Sequence, residues 1–313
     1  MFTDILFVLA GILLLYVGGE ALVRGAVALA RGLGWSPLVI GLTVVSFGTS
    51  SPELASTLTA SLGDAPEVAF GNVVGSNIAN IGLILGLTAL IWPLETSARF
   101  LRREVPFMLI SSALLFPVIA DGRVSRFEGF VLFALLVAFL FYLMRRETER
   151  SQVEKTFDRE FGDPPISTRL SSLLILLGIG LLMAGAHSLI TGGVSLARDF
   201  GISERVIGLT LVALGTSLPE LAASLVAGLR REGDIVLGNV IGSNIFNVLC
   251  ILGITPMISP LVVDASAVWL DLTAMLVLSL LLWLVLASRL KLERWEGFLL
   301  LAFYGMYIGW LFT

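Results

Sequence analysis

The residues that usually carry catalysis or hold transition metals are nearly absent from this chain. Its 313 residues include one cysteine, Cys250, and one histidine, His187. A single cysteine cannot close an intrachain disulfide, and Cys250 lies in an apolar run where a small hydrophobe packs well. His187 has no Cys or Ser partner in a repeated arrangement, which argues against an intramembrane protease or other hydrolase. No GxxxxGK[ST] loop occurs, so ATP does not drive the protein directly. Charge is scarce too. Asp, Glu, Lys and Arg make up 14% of the residues and sum to −4, with the basic ones dispersed, which gives nucleic acid no surface to bind. Nothing calls for a cofactor or an obligate protein partner. Met1 to Asp4 leads into an apolar stretch without a basic n-region, so a retained first helix is expected, not a cleaved signal peptide.

Apolar sequence fills the space those residues leave. Hydrophobic residues reach 57% and mean hydropathy is +0.95, against roughly 45–50% apolar in an average soluble domain. The excess falls into blocks of the length that crosses about 30 Å of hydrocarbon. The blocks predict an all-α integral membrane protein with spans at 4–29, 36–62, 67–92, 105–120, 127–144, 170–196, 204–229, 234–258, 266–287 and 296–312. The one long polar stretch, Arg145 to Arg169, has the composition of a solvated linker. It divides the chain into residues 1–145, a linker 146–169, and residues 170–313.

The two halves repeat one sequence. A shift of 167 residues, with no gap, aligns Gly41–Gly86 with Gly208–Gly253, and 25 of those 46 positions are identical. GTSSPELA (48–55) falls on GTSLPELA (215–222), and GNVVGSNIAN (71–80) on GNVIGSNIFN (238–247). Chance similarity between apolar helices would match Leu, Val and Ile. Here the matches fall on Gly, Asn, Ser, Thr, Pro and Glu, so the duplication is real. Five spans per copy is an odd number, which inverts the second copy relative to the first. With the N-terminus outside, the cytoplasmic segments hold fifteen Lys and Arg and the outer ones four. By the positive-inside rule this predicts both termini outside and residues 146–169 in the cytoplasm.

Glu53 and Glu220 lie near the middle of the second and seventh spans, at equivalent positions. An acid at a helix centre costs roughly 2.5–3.5 kcal/mol on insertion scales. No Lys or Arg except Arg24 lies near that depth, so a bound cation is the simplest counter-charge; a carboxyl satisfied by a neighbouring helix is the alternative. Pro52 and Pro219 precede the acids and deprive the carbonyls of Gly48 and Gly215 of their helical donors. One proline kink is commonplace in membrane helices, but a kink beside an acid in both copies suggests discontinuous helices 2 and 7 around an ion site. Thr49, Ser50, Thr216 and Ser217 add hydroxyls. Asn72, Ser76 and Asn80, like Asn239, Ser243 and Asn247, are spaced by four and share a helical face. Such residues also bind membrane helices to one another. Gly71, Gly75, Gly238 and Gly242 are expected to let helices approach closely. All the candidate ligands are oxygen donors, the set that hard cations such as Na⁺ and Ca²⁺ prefer. Two carboxylates match one Ca²⁺ in charge.

The paired GTSxPE and GNVxGSNxxN motifs closely resemble the two alpha repeats of the cation/calcium exchanger superfamily, particularly its prokaryotic sodium/calcium exchangers. The resemblance covers nearly the whole chain. It implies ten transmembrane helices in two inverted five-helix repeats, with ion sites where the repeats meet. On that pattern Glu53, Glu220, Thr49 and Thr216 form the calcium shell. Sodium sites draw on Ser50, Ser217, Ser76, Ser243 and both glutamates, with backbone carbonyls near Ser46 and Ala213, and Asn80 completes the cluster. One position departs from several relatives: Asn247 stands where they carry Asp, which argues against potassium dependence. Val-Val-Gly-Ser and Val-Ile-Gly-Ser follow the two GN pairs, where the cation/proton branch typically carries an acid. The reading is a plasma-membrane antiporter, not an enzyme, exchanging Na⁺ for Ca²⁺ electrogenically. A calcium/proton exchanger is the alternative within transport, and a cation channel the alternative from another class.

Overall fold

The protein is described by a computed structural model over residues 1–154, 167–201 and 213–311. Half of the linker (155–166), and the start of the span expected at 204–229, lie outside the described residues. The elements in chain order are α1 (Phe2–Leu33), α2 (Pro37–Thr49), α3 (Ser51–Leu62), α4 (Pro66–Ile91), α5 (Ala98–Val118) and α6 (Arg126–Glu154). Then follow α7 (Thr168–Asp199), a short turn Ala213–Gly215, α8 (Leu218–Leu229), α9 (Gly233–Ile258), α10 (Ala265–Arg289) and α11 (Arg294–Leu311). Six of the described helices are long and apolar enough to cross a membrane, and a seventh span is obtained by joining α2 to α3. The chain is a multi-pass membrane protein.

Local chemistry explains the breaks. Gly34 ends α1 in the left-handed conformation (φ 68°), and the Ser36 side chain caps α2 with Pro37 in its first turn. At Ser50 the backbone leaves helical geometry, and α2 meets α3 at a 43° bend with Pro52 in the first turn of α3. Ser217 has nearly the same dihedrals before α8, where Pro219 occupies the same place. Asp64 and Arg231, again 167 apart, both take positive φ in the turns that follow α3 and α8.

The sequence-based boundaries need adjusting at three helices. α1 runs to Leu33, not residue 29, and α5 starts at Ala98, not 105, so its first two turns carry Arg99, Arg102 and Arg103. α6 runs to Glu154, not 144, so the start of the expected linker is helical. The all-α expectation also needs one amendment. Four two-residue strands tie the loops together: β1 (Leu94–Glu95) pairs antiparallel with β4 (Lys291–Leu292), and β2 (Arg123–Val124) with β3 (Leu261–Val262). Two residues give no alternating pattern to read.

α9 is buried along its whole apolar window and α4 along 72% of its own, whereas α1, α6 and α7 each bury 28%. The doubled motif helices therefore form the centre, and the others face lipid. α1 and α7 pack against each other along a seam of glycines spaced by seven, Gly11, Gly18 and Gly25 meeting the backbone of α7, and Gly178, Gly185 and Gly192 that of α1. Gly238 and Gly242 of α9 play the same part against α2: a Cβ on Gly238 would lie 2.4 Å from the Leu38 carbonyl oxygen. Gly71 and Gly75 meet nothing within 4 Å among the described residues, and the segment equivalent to α2 is the undescribed one. The close approach expected of all four glycines is thus seen for the second pair.

Candidate cation site

The two helix breaks face one another across the centre, and their bonds cross between the halves. Ser50 Oγ donates to Glu220 Oε1 at 2.9 Å, and Ser217 Oγ donates to Glu53 Oε1 at 3.0 Å. Both glutamates are buried, at 1% and 0% exposure. Each carboxylate is thus seated by the serine three residues before its counterpart, so both acids sit at one junction. Arg24, the only cation considered for them from the sequence, pairs instead with Glu20 (2.7 Å), which also binds Arg230.

Asparagines fix the backbone that carries the acids. Asn72 Nδ2 donates to the Glu53 carbonyl (3.4 Å) and to Thr57 Oγ1 (2.9 Å). Asn239 Nδ2 repeats both bonds with the Glu220 carbonyl (3.5 Å) and Ser224 Oγ (3.0 Å). Asn72 and Asn239 therefore position the acids. Asn77 and Asn244 clasp each other's backbone carbonyls at 3.3 and 3.4 Å, each amide also lying against a methionine sulfur. Their side-chain oxygens accept from Asn247 Nδ2 and Asn80 Nδ2 respectively, both at 3.0 Å. Asn80 and Asn247 each open a π-helical stretch, Asn80–Leu85 and Asn247–Ile251. The widened turn is a local irregularity common at functional positions.

What these bonds leave over is informative. The buried oxygens Glu53 Oε2, Glu220 Oε2, Asn80 Oδ1, Asn247 Oδ1, Ser243 Oγ and Thr216 Oγ1 have no hydrogen-bond partner among the described residues. An unsatisfied buried polar atom costs about 1–3 kcal/mol, more when charged. Six of them lie on the repeated motifs, two being carboxylate oxygens, and each is an oxygen of the kind a hard cation prefers.

Eight of the twelve residues singled out from the sequence enter these bonds, and two more, Thr216 and Ser243, contribute only unpaired buried hydroxyls. Thr49 Oγ1 donates to Asn239 Oδ1 at 3.1 Å and, more weakly, to the Ser46 carbonyl at 3.4 Å. Ser76 Oγ lies 3.3 Å from Ser217 Oγ, within hydrogen-bond distance of the hydroxyl that donates to Glu53. The remaining two stand differently. The Ser46 carbonyl accepts the Ser50 N–H at 2.9 Å, so it keeps its helical bond, and Ala213 opens the short turn before Thr216. Among the described residues no three His, Cys, Asp or Glu side chains gather, and the site's anionic charge comes from the two glutamates. Thr57 and Ser224 escaped the sequence reading. Their one signal was a hydroxyl kept at equivalent positions, four residues past each acid. Asn77 and Asn244 flank the polar face by their spacing, and nothing in the sequence hints at their mutual clasp.

Known proteins resemble the chain along nearly its whole length. A model of the family described as sodium/calcium exchanger protein matches residues 3–145 and 170–313. The putative antiporter CaxA of Alkalimonas amylolytica is 39% identical over 97% of this chain and 98% of its own length. The sodium/calcium exchanger MaX1 of Methanosarcina acetivorans is 34% identical over 99% of this chain and 98% of its own. A solved structure of the sodium-calcium exchanger NCX_Mj, soaked with Na⁺ and Sr²⁺, superposes with a TM-score of 0.85 at 34% identity, covering 98% of this chain and 97% of that one. With the family model spanning both halves and full-length relatives at this identity, the chain belongs to the sodium/calcium exchanger family.

Proposed function

We propose that this protein is a secondary antiporter that moves Ca²⁺ against Na⁺ through the site at Glu53 and Glu220, by alternating access. The observation that carries the reading is the crossed seating of two buried carboxylates, each with one oxygen left unpaired. Charge opposite to theirs is needed at that junction, and a divalent ion would neutralise the pair. The neutral oxygens of Thr216, Ser243, Asn80 and Asn247 suit monovalent ions as well. The proposed frame is ten spans in two inverted five-helix repeats, 1–145 and 170–313. They are joined by a cytoplasmic linker at 146–169, with both termini outside and the whole in the plasma membrane. Supporting it are the 167-residue repeat, the reciprocal contacts of the two copies and the arginine bias.

Exchange is expected to be electrogenic. The junction supplies more oxygen than two Na⁺ require, so a third sodium leaves one net positive charge to cross per cycle, worth roughly 2.3 kcal/mol per 100 mV. The test is sodium-gradient-driven ⁴⁵Ca²⁺ flux in proteoliposomes whose potential is clamped with potassium and valinomycin. One net charge shifts the equilibrium calcium ratio about tenfold for a 60 mV change in clamp. An unmoved ratio means electroneutral exchange. Calcium that follows an imposed pH gradient and ignores sodium would identify proton exchange instead.

Asn247 offers a second, independent test. Its Nδ2 donates to Asn77 and its Oδ1 is unpaired. Asn247→Asp adds an acid to the cluster and removes that donor. Tighter cation binding, with new sensitivity to potassium or protons, is the expected result in parallel flux assays. Behaviour identical to wild type in sodium, potassium and varied pH would remove Asn247 from the site.

A further inference from the structure

On the bilayer face, away from the cation site, the first turns of α5 and the last apolar turns of α6 enclose a groove of about 370 Å³. Its walls are mostly apolar, Phe107 stacking on Phe139 with centroids 4.0 Å apart and planes 5° from parallel, and Leu135 and Ala138 completing the side open to lipid. At one end stands Tyr142, 44% exposed. The Arg103 guanidinium donates to the Tyr142 hydroxyl and lies 4.9 Å from the ring centroid, and the Arg146 guanidinium lies 5.8 Å from the same centroid. Cation–π attraction holds each cation to the ring. It also brings two like charges onto one phenol, an arrangement that an anion between them would relieve. Arg102 and Arg145 are exposed beside them. Glu104 on the groove wall is buried and interacts within the protein, while its Oε2 accepts no hydrogen bond among the described residues, so the groove also carries one acid.

We propose that this groove binds an anionic glycerophospholipid, its phosphate between Arg103 and Arg146 and one acyl chain along Phe107, Leu135, Ala138 and Phe139. The two halves of the site match the two halves of such a lipid. Guanidinium is the side chain best shaped for phosphate, and basic pockets between membrane helices hold anionic headgroups. From Leu135 to Tyr142 the wall runs about 10 Å along the α6 axis, enough to order the upper part of a chain. A zwitterionic lipid would bring its own cation to the two arginines and gain little. The topology proposed above makes this the cytoplasmic leaflet; the groove and its arginines do not depend on the exchange reading.

The experiment uses the full chain, purified in detergent and offered equimolar phosphatidylglycerol and phosphatidylcholine with matched acyl chains. Retained lipid is counted by native mass spectrometry. Wild type is expected to retain phosphatidylglycerol preferentially. Arg103→Gln with Arg146→Gln should lower that preference at least about fivefold, in line with the headgroup attraction of two cations. Arg103→Lys with Arg146→Lys should keep most of it, which separates lost charge from misfolding. Ala138→Trp, which fills the groove, should reduce retention of both lipids, and Arg123→Gln, on a distant loop, should change neither. Inorganic phosphate in excess should not displace the lipid. Equal retention of the two lipids by wild type, an unchanged double glutamine variant, or displacement by free phosphate would overturn the proposal.

Discussion

Replacing either buried carboxylate by its amide, Glu53→Gln or Glu220→Gln, is expected to abolish sodium-driven calcium uptake in protein that still folds. The fold should survive because the amide keeps an acceptor at the position of Oε1, where Ser217 or Ser50 donates. The other oxygen is the one that changes. Oε2, unpaired in the buried junction, becomes an NH₂ whose donors point at the cation. Calcium binds carboxylate oxygens at about 2.4 Å. At an effective dielectric of about 20, the attraction of a unit charge to a dication at that range is of order 10 kcal/mol before desolvation. If a third of it survives dehydration, the loss is over a hundredfold in affinity, since each 1.4 kcal/mol is tenfold. Calcium uptake into proteoliposomes should fall by at least about two orders of magnitude in each variant, with unchanged elution on gel filtration. Uptake near wild type in either one would remove that glutamate from the site.

Gly178→Val should destabilise the protein severely, whereas Gly180→Ala, two residues along the same helix, should not. A Cβ at 178 would sit 2.6 Å from the Leu22 backbone nitrogen and 2.8 Å from the Gly18 carbonyl oxygen, backbone atoms that cannot rotate away. At 180 nothing lies within 4 Å. Opening the seam costs more than the 1–3 kcal/mol of ordinary overpacking, because close backbone approach is the main attraction between membrane helices. A thermal melt of purified protein in detergent should show Gly178→Val lower by about 5–10 °C and Gly180→Ala unchanged. Equal melting temperatures would mean that α1 and α7 have slack at their crossing.

Much of the site was legible because the duplication marks it twice. A buried acid is costly in any one helix, and the same cost at Glu53 and Glu220, each after a proline, leaves few readings but a paired function. The breaks at Ser50 and Ser217 were signalled by Pro52 and Pro219, but Pro106, Pro117 and Pro256 lie inside continuous helices, so proline alone does not dictate a break. The crossing of the bonds was not legible. Spacing places Ser50 near Glu53, its neighbour in sequence, whereas the structure seats it on Glu220, 170 residues away. The roles of Asn72 and Asn239 were left open for a related reason, since a polar residue on a site-facing stripe can support the backbone as readily as it can ligate an ion. The π-helical turns at Asn80 and Asn247 depend on tertiary packing and leave no pattern in the residues. The glycine seam could have been read: Gly11, Gly18 and Gly25 recur at the same offsets in the second half.

The crossed serine–glutamate bonds bear on how such a chain could arise. Neither half holds both partners of either bond, so a polypeptide of one half alone would own a serine and an acid unable to satisfy each other. Two copies in opposite orientation would exchange identical contacts about a two-fold axis, the pattern of an isologous homodimer. On this view the linker is a tether added to an assembly that already worked, and the fused gene was free to let its copies diverge. His187 opposite Glu20, and Phe246 opposite Ala79, are the kind of difference that only a fused pair can fix, since in a homodimer every substitution appears on both sides at once.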